Sequence, residues 1–282
     1  MTADNAPLPV ARPLPRVFSR LAGAARTALP PFAVLCVVVG AWYLVSYALF
    51  APRRRFLLPP PHQVVLDGFL DWATFHEILS ALEATAKVAV VGLVIASALG
   101  MTFAVLMNQA RWVERSFYPW AVLLQTIPIL AVVPLIGFWF GYGFWPRTIV
   151  CVLIALFPII TNTLFGLRSA DTGQHDLFTL RQASRWRRLI WLEFPGALPA
   201  VFTGLRISAG LSVIGAIVGD FFFRQGEPGI GRLIDGYTRS LESGPLFAAI
   251  IVSALFGFVV FCLFGLAAHL VVGPWYESGQ RR

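Results

Sequence analysis

Six apolar runs dominate the chain, at about residues 31–50, 83–107, 117–139, 147–167, 198–219 and 246–272. A hydrocarbon core about 30 Å thick needs roughly 20 mostly apolar residues to be crossed by a helix. Inside that core every backbone N–H and C=O must find its partner within the protein, which leaves helices or closed barrels. Runs of this length select helices. The expected fold is therefore all-α: a polytopic membrane protein with six transmembrane helices. Composition agrees, since 57% of the 282 residues are hydrophobic and 13% are charged. Soluble domains carry about a quarter charged residues.

The net charge of +8 does not mark a nucleic-acid binder, because the basic residues lie in short segments between apolar runs. Lys87, near the start of the second run, and Arg206, in the fifth, are within snorkelling reach of a span end. With the N-terminus inside, the cytoplasmic segments hold 13 arginines and the outside segments seven, counting Arg147 and Arg224 among the latter. The positive-inside rule then places both termini in the cytoplasm, against the opposing vote of "RRR" at 53–55. Residues 1–30 read as a proline- and arginine-rich tail feeding an uncleaved first span, 31–272 as the six-span domain, and 273–282 as a second cytoplasmic tail.

Three connecting segments carry further pattern. In 51–82 the prolines of "FLLPPPHQVV" predict an extended crossing, followed by a short amphipathic helix on the membrane surface. Residues 220–245 read as a long glycine-containing outside loop. Between the fourth and fifth runs, Leu177, Leu180, Ala183, Trp186, Ile190 and Phe194 recur at helical spacing, and Arg181, Arg185 and Arg188 share another face. This predicts a basic amphipathic helix over 176–194. Asp176 at its start suits the helix dipole, Pro195 ends it, and Pro199 sits in the first turn of the next span. Such a helix can rest on anionic lipid headgroups or dock a cytoplasmic partner.

The order of residues here resembles the coupling loop of binding-protein-dependent ABC importer permeases. That family's motif runs Glu-Ala-Ala, three residues, Gly, about nine residues, Ile, one residue, Leu-Pro. "ASRW" (183–186), "FPGALP" (194–199) and "GLR" (204–206) match its extended form, while Asp176, Leu177 and Phe178 replace Glu-Ala-Ala and Gln182 replaces the Gly. "LLQTIPILAVVPLIGFWFGYG" (123–143), "FPIITNTLFGLRS" (157–169) and "LSVIGAIVGDFF" (211–222) followed by "GIGRLI" (229–234) are similar to further segments of the family in the same order. The likeness covers about residues 57–270 and is nearest to the nitrate, sulfonate and taurine type, with "VIGAIVGD" most like members for thiamine-precursor pyrimidines or riboflavin.

The resemblance implies the type I ABC importer permease fold in a bacterial inner membrane, with a cytoplasmic coupling helix in the loop 168–197. It also implies a second permease copy, a cytoplasmic ABC ATPase dimer and an extracytoplasmic solute-binding protein. Asp176, Gln182, Ala183, Ser184, Arg185, Trp186, Pro195, Leu198 and Pro199 would be the residues that meet the ATPase. A coupling helix seated in a groove of the ATPase would turn nucleotide-driven closure into a tilt of the spans.

The residues themselves are consistent with a chain that moves solute and catalyses nothing. There is no GxxxxGK[ST] phosphate cradle and no GxSxG elbow, and His62, His76, His175 and His269 are scattered without metal spacing. No cofactor is expected on this chain, ATP and magnesium being left to the partner. Cys36, Cys151 and Cys262 lie in apolar runs and read as packing residues. Gly215 and Gly219 form a GxxxG, which permits close helix packing. Pro128, Pro134 and Pro158 each predict a kink. Among polar residues in the spans, Gln125, Asn162 and Asp220 are the candidates for the translocation pathway, with pairing of Asp220 to Arg224 as the alternative. An ion-gradient-driven secondary transporter is the rival reading, disfavoured by six spans, no internal repeat and no acid in mid-membrane.

Overall fold

A computed structural model describes residues 16–280 other than Arg224, with the backbone alone for 16–28 and 274–280. The described residues form helices joined by short turns. They divide into two units, one ending at His62 and one beginning at Gln63.

In the first unit, α1 (Arg16–Ala48) begins well before the expected span, and its membrane-crossing part is Leu29–Ala48. Most of that part is exposed, as a lipid-facing helix would be. The chain then turns through a 3-10 segment at Pro52–Leu57 that carries the three arginines. The Ser46 hydroxyl donates to Leu58 O at 2.8 Å and the Trp42 indole to Pro59 O at 3.0 Å, so the proline segment folds back on the end of α1. The expected extended crossing shrinks to the few residues around Pro59.

A short helix, α2 (Pro61–Val64), widens into a π turn at Val65–Leu70 and leads to α3 (Trp72–Gln109). At 38 residues, α3 is about 57 Å long, well beyond the hydrocarbon core. The surface helix expected before the second span is its first turns, because nothing between Trp72 and Gly92 interrupts helix formation.

The third expected span, 117–139, is broken. α4 (Arg111–Thr126) and α5 (Ile129–Phe140) meet at 101°. Pro128 has no N–H to give and drives Ile127 out of the helical region, to φ −64° and ψ 126°. Among the described residues five helices are long and apolar enough to cross a membrane, six if the bent pair is one span.

The centre is the pairing of α6 (Phe144–Leu167) with α9 (Phe194–Phe222), with α3 laid against both and α11 (Ser243–Gln280) against α9. Small residues allow the approach. A Cβ on Gly215 would lie 2.9 Å from Cα of Cys151, and one on Gly219 would lie 3.2 Å from Cα of Arg147. Lipid tails are as apolar as leucine, so close backbone packing replaces the hydrophobic effect as the force between helices. Leu93 and Ala96 of α3, Ala155 and Ile159 of α6 and Ala209 of α9 interlock in one such layer. Ser208 Oγ donates to Ala155 O at 2.6 Å across the same seam. Cys151 is buried there as expected, whereas Cys36 and Cys262 are exposed.

The loop expected on the outside contains a helix that the glycines concealed, α10 (Ile230–Ser240). Ile230, Leu233, Ile234 and Tyr237 recur at helical spacing, and Ile230 and Tyr237 are buried. The Tyr237 hydroxyl donates to Glu77 Oε2 at 2.9 Å, fixing α10 to α3. Burial, and after it the Glu77 carboxylate, raise the Tyr237 phenol above its ordinary value and keep it a donor.

Candidate functional site

The expected coupling helix over 176–194 is two helices with a corner between them. α7 (Thr172–Leu180) starts earlier than expected, with Asp171 at the N-cap position, so Asp176 lies exposed in mid-helix rather than at the start. α7 ends at Gln182, which adopts φ +50°. The Ala183 N–H reaches Phe178 O and the Gln182 N–H reaches Thr179 O, both at 2.9 Å. These are the two bonds of a Schellman closure, whose left-handed residue is ordinarily glycine. The family's motif glycine falls on this position, and Gln182 holds the same turn at a steric cost of about 1–2 kcal/mol.

α8 (Arg185–Arg188) follows, with Ser184 as its cap, the Ser184 hydroxyl accepting from Arg187 N at 3.4 Å. α8 runs through a π turn at Leu189–Glu193 straight into α9. The corner is therefore at Gln182–Ser184 and not at Pro195, which occupies the first turn of α9. Its missing N–H falls just after the wide turn, where the ordinary helical bond is already displaced, as the Phe194 N–H to Leu189 O bond shows. Leu198 and Pro199 lie half-buried further along α9, and Ala183 is half-buried at the corner.

Two braces hold this loop to the bundle. At its start, Arg168 grips Glu114 of α4 in a bidentate pair at 2.6 and 2.7 Å. At its end, Arg185 Nη1 donates to Gln109 O, the end of α3, at 3.2 Å. Arg188 Nη2 bonds Thr179 Oγ1 at 3.0 Å and ties α8 to α7. Leu177, Leu180 and Trp186 (63% exposed) project from the loop.

Gln125 and Asn162 both lie along the groove between α6 and α9. Asn162 lines a cavity of about 510 Å³ with Phe165, Gln174, Gly196, Pro199 and Thr203, near the coupling loop. Its Nδ2 donates to Pro158 O at 2.8 Å. Gln125 lines a second cavity of about 510 Å³, with Pro158, Leu211 and Ile214, beneath the break between α4 and α5. The two cavities succeed one another along the same faces of α6 and α9.

Asp220 is elsewhere. It is 0% exposed, enclosed within the chain, and it bonds Arg147, itself 3% exposed, at 3.1 Å. Thr85 Oγ1 donates to its other oxygen at 2.6 Å and accepts from Ile230 N at 2.8 Å. Arg147 also donates to the carbonyls of Phe223 (3.1 Å), Gln225 (2.8 Å) and Glu227 (2.9 Å). This knot joins α3, α6, α9, the following turn and the start of α10. Gly229 and Gly231 pass so close that a Cβ on either would collide with Asp220. The alternative partner, Arg224, lies outside the described residues. Arg147, Thr85, Glu114 and the buried Glu193, which accepts from Asn108 Nδ2 at 2.6 Å, were not singled out as site residues. Arg147 and Asp220 sit at the ends of neighbouring apolar runs on the same expected side, which is the one signal that could have paired them.

Comparison with known proteins agrees with this architecture. The family model of the binding-protein-dependent transport system inner membrane component matches residues 92–271. The formylaminopyrimidine transport permease protein ThiX of Halalkalibacterium halodurans is 32% identical over 252 residues, covering 89% of this chain and 97% of that protein. The riboflavin transport system permease protein RibX of Chloroflexus aurantiacus is 37% identical over 169 residues, covering 60% and 62%. The taurine transport system permease protein TauC of Escherichia coli is 27% identical, covering 87% and 89%. Among solved structures, a chain of the MetNI methionine ABC transporter in an inward-facing conformation superposes with a TM-score of 0.64 at 13% identity, over 72% of this chain and 99% of that one. That last likeness speaks for the fold alone.

Proposed function

The chain belongs to the binding-protein-dependent transport inner membrane components, the permeases of ABC importers, and from that premise we propose that its solute is a pyrimidine-type heterocycle. It is a transport subunit and not an enzyme, a multi-pass protein of a bacterial inner membrane that works with a separate ATPase and a solute-binding protein. The observation that carries the substrate reading is identity with ThiX over nearly the whole of both chains. In this reading no cofactor binds here, since ATP and magnesium are held by the ATPase.

Two copies of the chain pair across the α6–α9 groove. Two cavities follow one another along these faces, and a second copy facing them would enclose a pathway on which Gln125 and Asn162 lie. Asp220 acts as a pin for the outside end rather than as a solute ligand. The α7–α8 corner enters the ATPase through Leu177, Leu180 and Trp186, and the Arg168–Glu114 and Arg185–Gln109 braces pass its movement to α4 and α3. Both termini are cytoplasmic. Burial of Arg147 in an ion pair removes one arginine from the outside loops, lowering their count from seven to six against 13 inside.

The test is uptake into proteoliposomes holding the chain, its ATPase and its binding protein. ATP-dependent accumulation of formylaminopyrimidine, in excess over taurine and nitrate, is expected. Accumulation of taurine or nitrate without the pyrimidine would overturn the substrate class while leaving the family intact.

A further inference from the structure

We propose that the cavity between the end of α3, the start of α4 and α8 is a binding site for the phosphate group of an anionic phospholipid. The cavity measures about 750 Å³, and its walls include Arg111, Arg185, Arg188, Asn108, Glu193 and Trp112. Three guanidinium groups thus face one carboxylate. That carboxylate, on Glu193, is buried and receives the Asn108 amide at 2.6 Å, so it is turned into the wall.

Two of the arginines are held in place, and among the described residues none of the three is paired with a carboxylate. Arg185 is anchored on Gln109 O and Arg188 on Thr179 Oγ1. Arg188 Nε is buried without a hydrogen-bond partner. Among the described residues, none of the three arginines forms an ion pair with a carboxylate within 4.0 Å. Guanidinium forks bind phosphate oxygens in pairs, and buried N–H groups without a partner favour a ligand that supplies several acceptors at once.

The position and the rim identify the source of the phosphate. The cavity lies where α3 leaves its apolar run and α9 has not yet begun, which is where headgroups would meet a chain that spans a bilayer. Trp112, on its wall, is 71% exposed, and just beyond Arg188 in sequence Ile190 is exposed and Trp191 is 74% exposed. Cationic and oily surfaces side by side match a headgroup followed by its acyl chains, and exposed tryptophan is the residue of that boundary. An acidic segment of a protein partner would satisfy the arginines and leave the tryptophans bare.

The experiment purifies the full chain in mild detergent, exposes it to mixed micelles of phosphatidylglycerol and phosphatidylcholine in equal amounts, and counts retained lipid by native mass spectrometry. Wild type is expected to retain phosphatidylglycerol selectively, also in 10 mM inorganic phosphate. Arg111→Gln and Arg188→Gln should each weaken retention about fivefold, the effect of about one basic contact at the membrane surface. Arg187→Gln, whose side chain does not line the cavity, should retain it as wild type does. Because Arg111 is exposed, Arg111→Gln tests the site without disturbing the core. Retention equal to wild type in both cavity variants overturns the proposal. Displacement by inorganic phosphate overturns it in favour of a free-anion site. Unchanged retention with loss of the co-purifying ATPase overturns it in favour of a protein partner.

Discussion

Replacing Asp220 by Asn separates two readings of an acid at the end of a span. As a pathway ligand it would affect transport and leave the fold intact. As the pin described above it would affect the fold first. The structure sets the size of that effect. Asp220 is wholly enclosed, and its neutralisation takes the carboxylate partner from a guanidinium group that is itself buried. Breaking one side of a buried pair costs about 3–5 kcal/mol. Arg147 keeps its bonds to the carbonyls of Phe223, Gln225 and Glu227, and the Thr85 hydroxyl can still donate to the Asn oxygen. Asp220→Asn should therefore fall near the lower figure, about 3 kcal/mol. Arg147→Met removes the donor from all three carbonyls as well as from Asp220; the Phe223 carbonyl is buried and left without a partner at a cost of about 1–3 kcal/mol, while those of exposed Gln225 and Glu227 can turn to water. It should be the worse variant by a clear margin.

The assay uses a thiol in the same core. Cys151 is fully buried against Gly215, one turn below Arg147, while Cys36 and Cys262 are exposed. In a Cys36→Ser, Cys262→Ser background, a thiol-reactive fluorophore reports only the opening of the α6–α9 seam. On heating in detergent the midpoints should fall in the order of the double-serine parent, Asp220→Asn and Arg147→Met. A midpoint for Asp220→Asn equal to the parent's, with uptake lost, would refute the pin and restore the pathway reading. Equal midpoints for the two variants would refute the part assigned to the buried Phe223 carbonyl.

Gln182→Gly should relax the left-handed corner by roughly 0.5–1 kcal/mol, less than the full steric cost because glycine also frees the unfolded chain; slower hydrogen exchange of the Ala183 amide would report it, and faster exchange would contradict it. Gly215→Val places a side chain against the Cys151 backbone and should lower the thiol-reactivity midpoint by the equivalent of about 1–3 kcal/mol, whereas Gly210→Ala, which meets nothing within 4 Å, should leave it unchanged. Arg168→Gln and Glu114→Gln should each reduce ATP-driven uptake, and the double variant should be no worse than either single one; additive losses would mean that the two residues do not act as one brace. Trp186→Ala should weaken ATPase co-purification without reducing membrane insertion, and full uptake by this variant would remove Trp186 from the docking surface.

The features legible in the sequence are those written as long periodic runs. Apolar run and helix coincide most closely in α6, expected at 147–167 and running Phe144–Leu167. Hydropathy fails where one residue redirects the backbone inside such a run. The apolar stretch 117–139 contains its own break, because Pro128 costs the helix a donor but costs the hydropathy nothing. The corner between α7 and α8 escapes for the opposite reason. Pro195 and Pro199 are the loudest local signals, yet a proline in the first turn of a helix removes only a bond that the π turn has already displaced. The quieter signal lies at Gln182, where the family's motif has glycine and where a φ of +50° shows why glycine suits the place.

The polar knot shows a different limit. Arg147 and Asp220 each fall at the end of an apolar run, and a charge at a span end reads as a loop charge facing water. In the folded chain the two are 73 residues apart and bonded to each other, and the third member, Thr85, is 135 residues from Asp220. Nothing local distinguishes a charge that stops a span from one that joins two spans. What distinguishes them is the glycine pattern around them. Gly219 lets Arg147 approach α9, and Gly229 and Gly231 leave room for the carboxylate of Asp220. Glycines that mark an outside loop in the sequence are, in this chain, the space in which a buried ion pair is built.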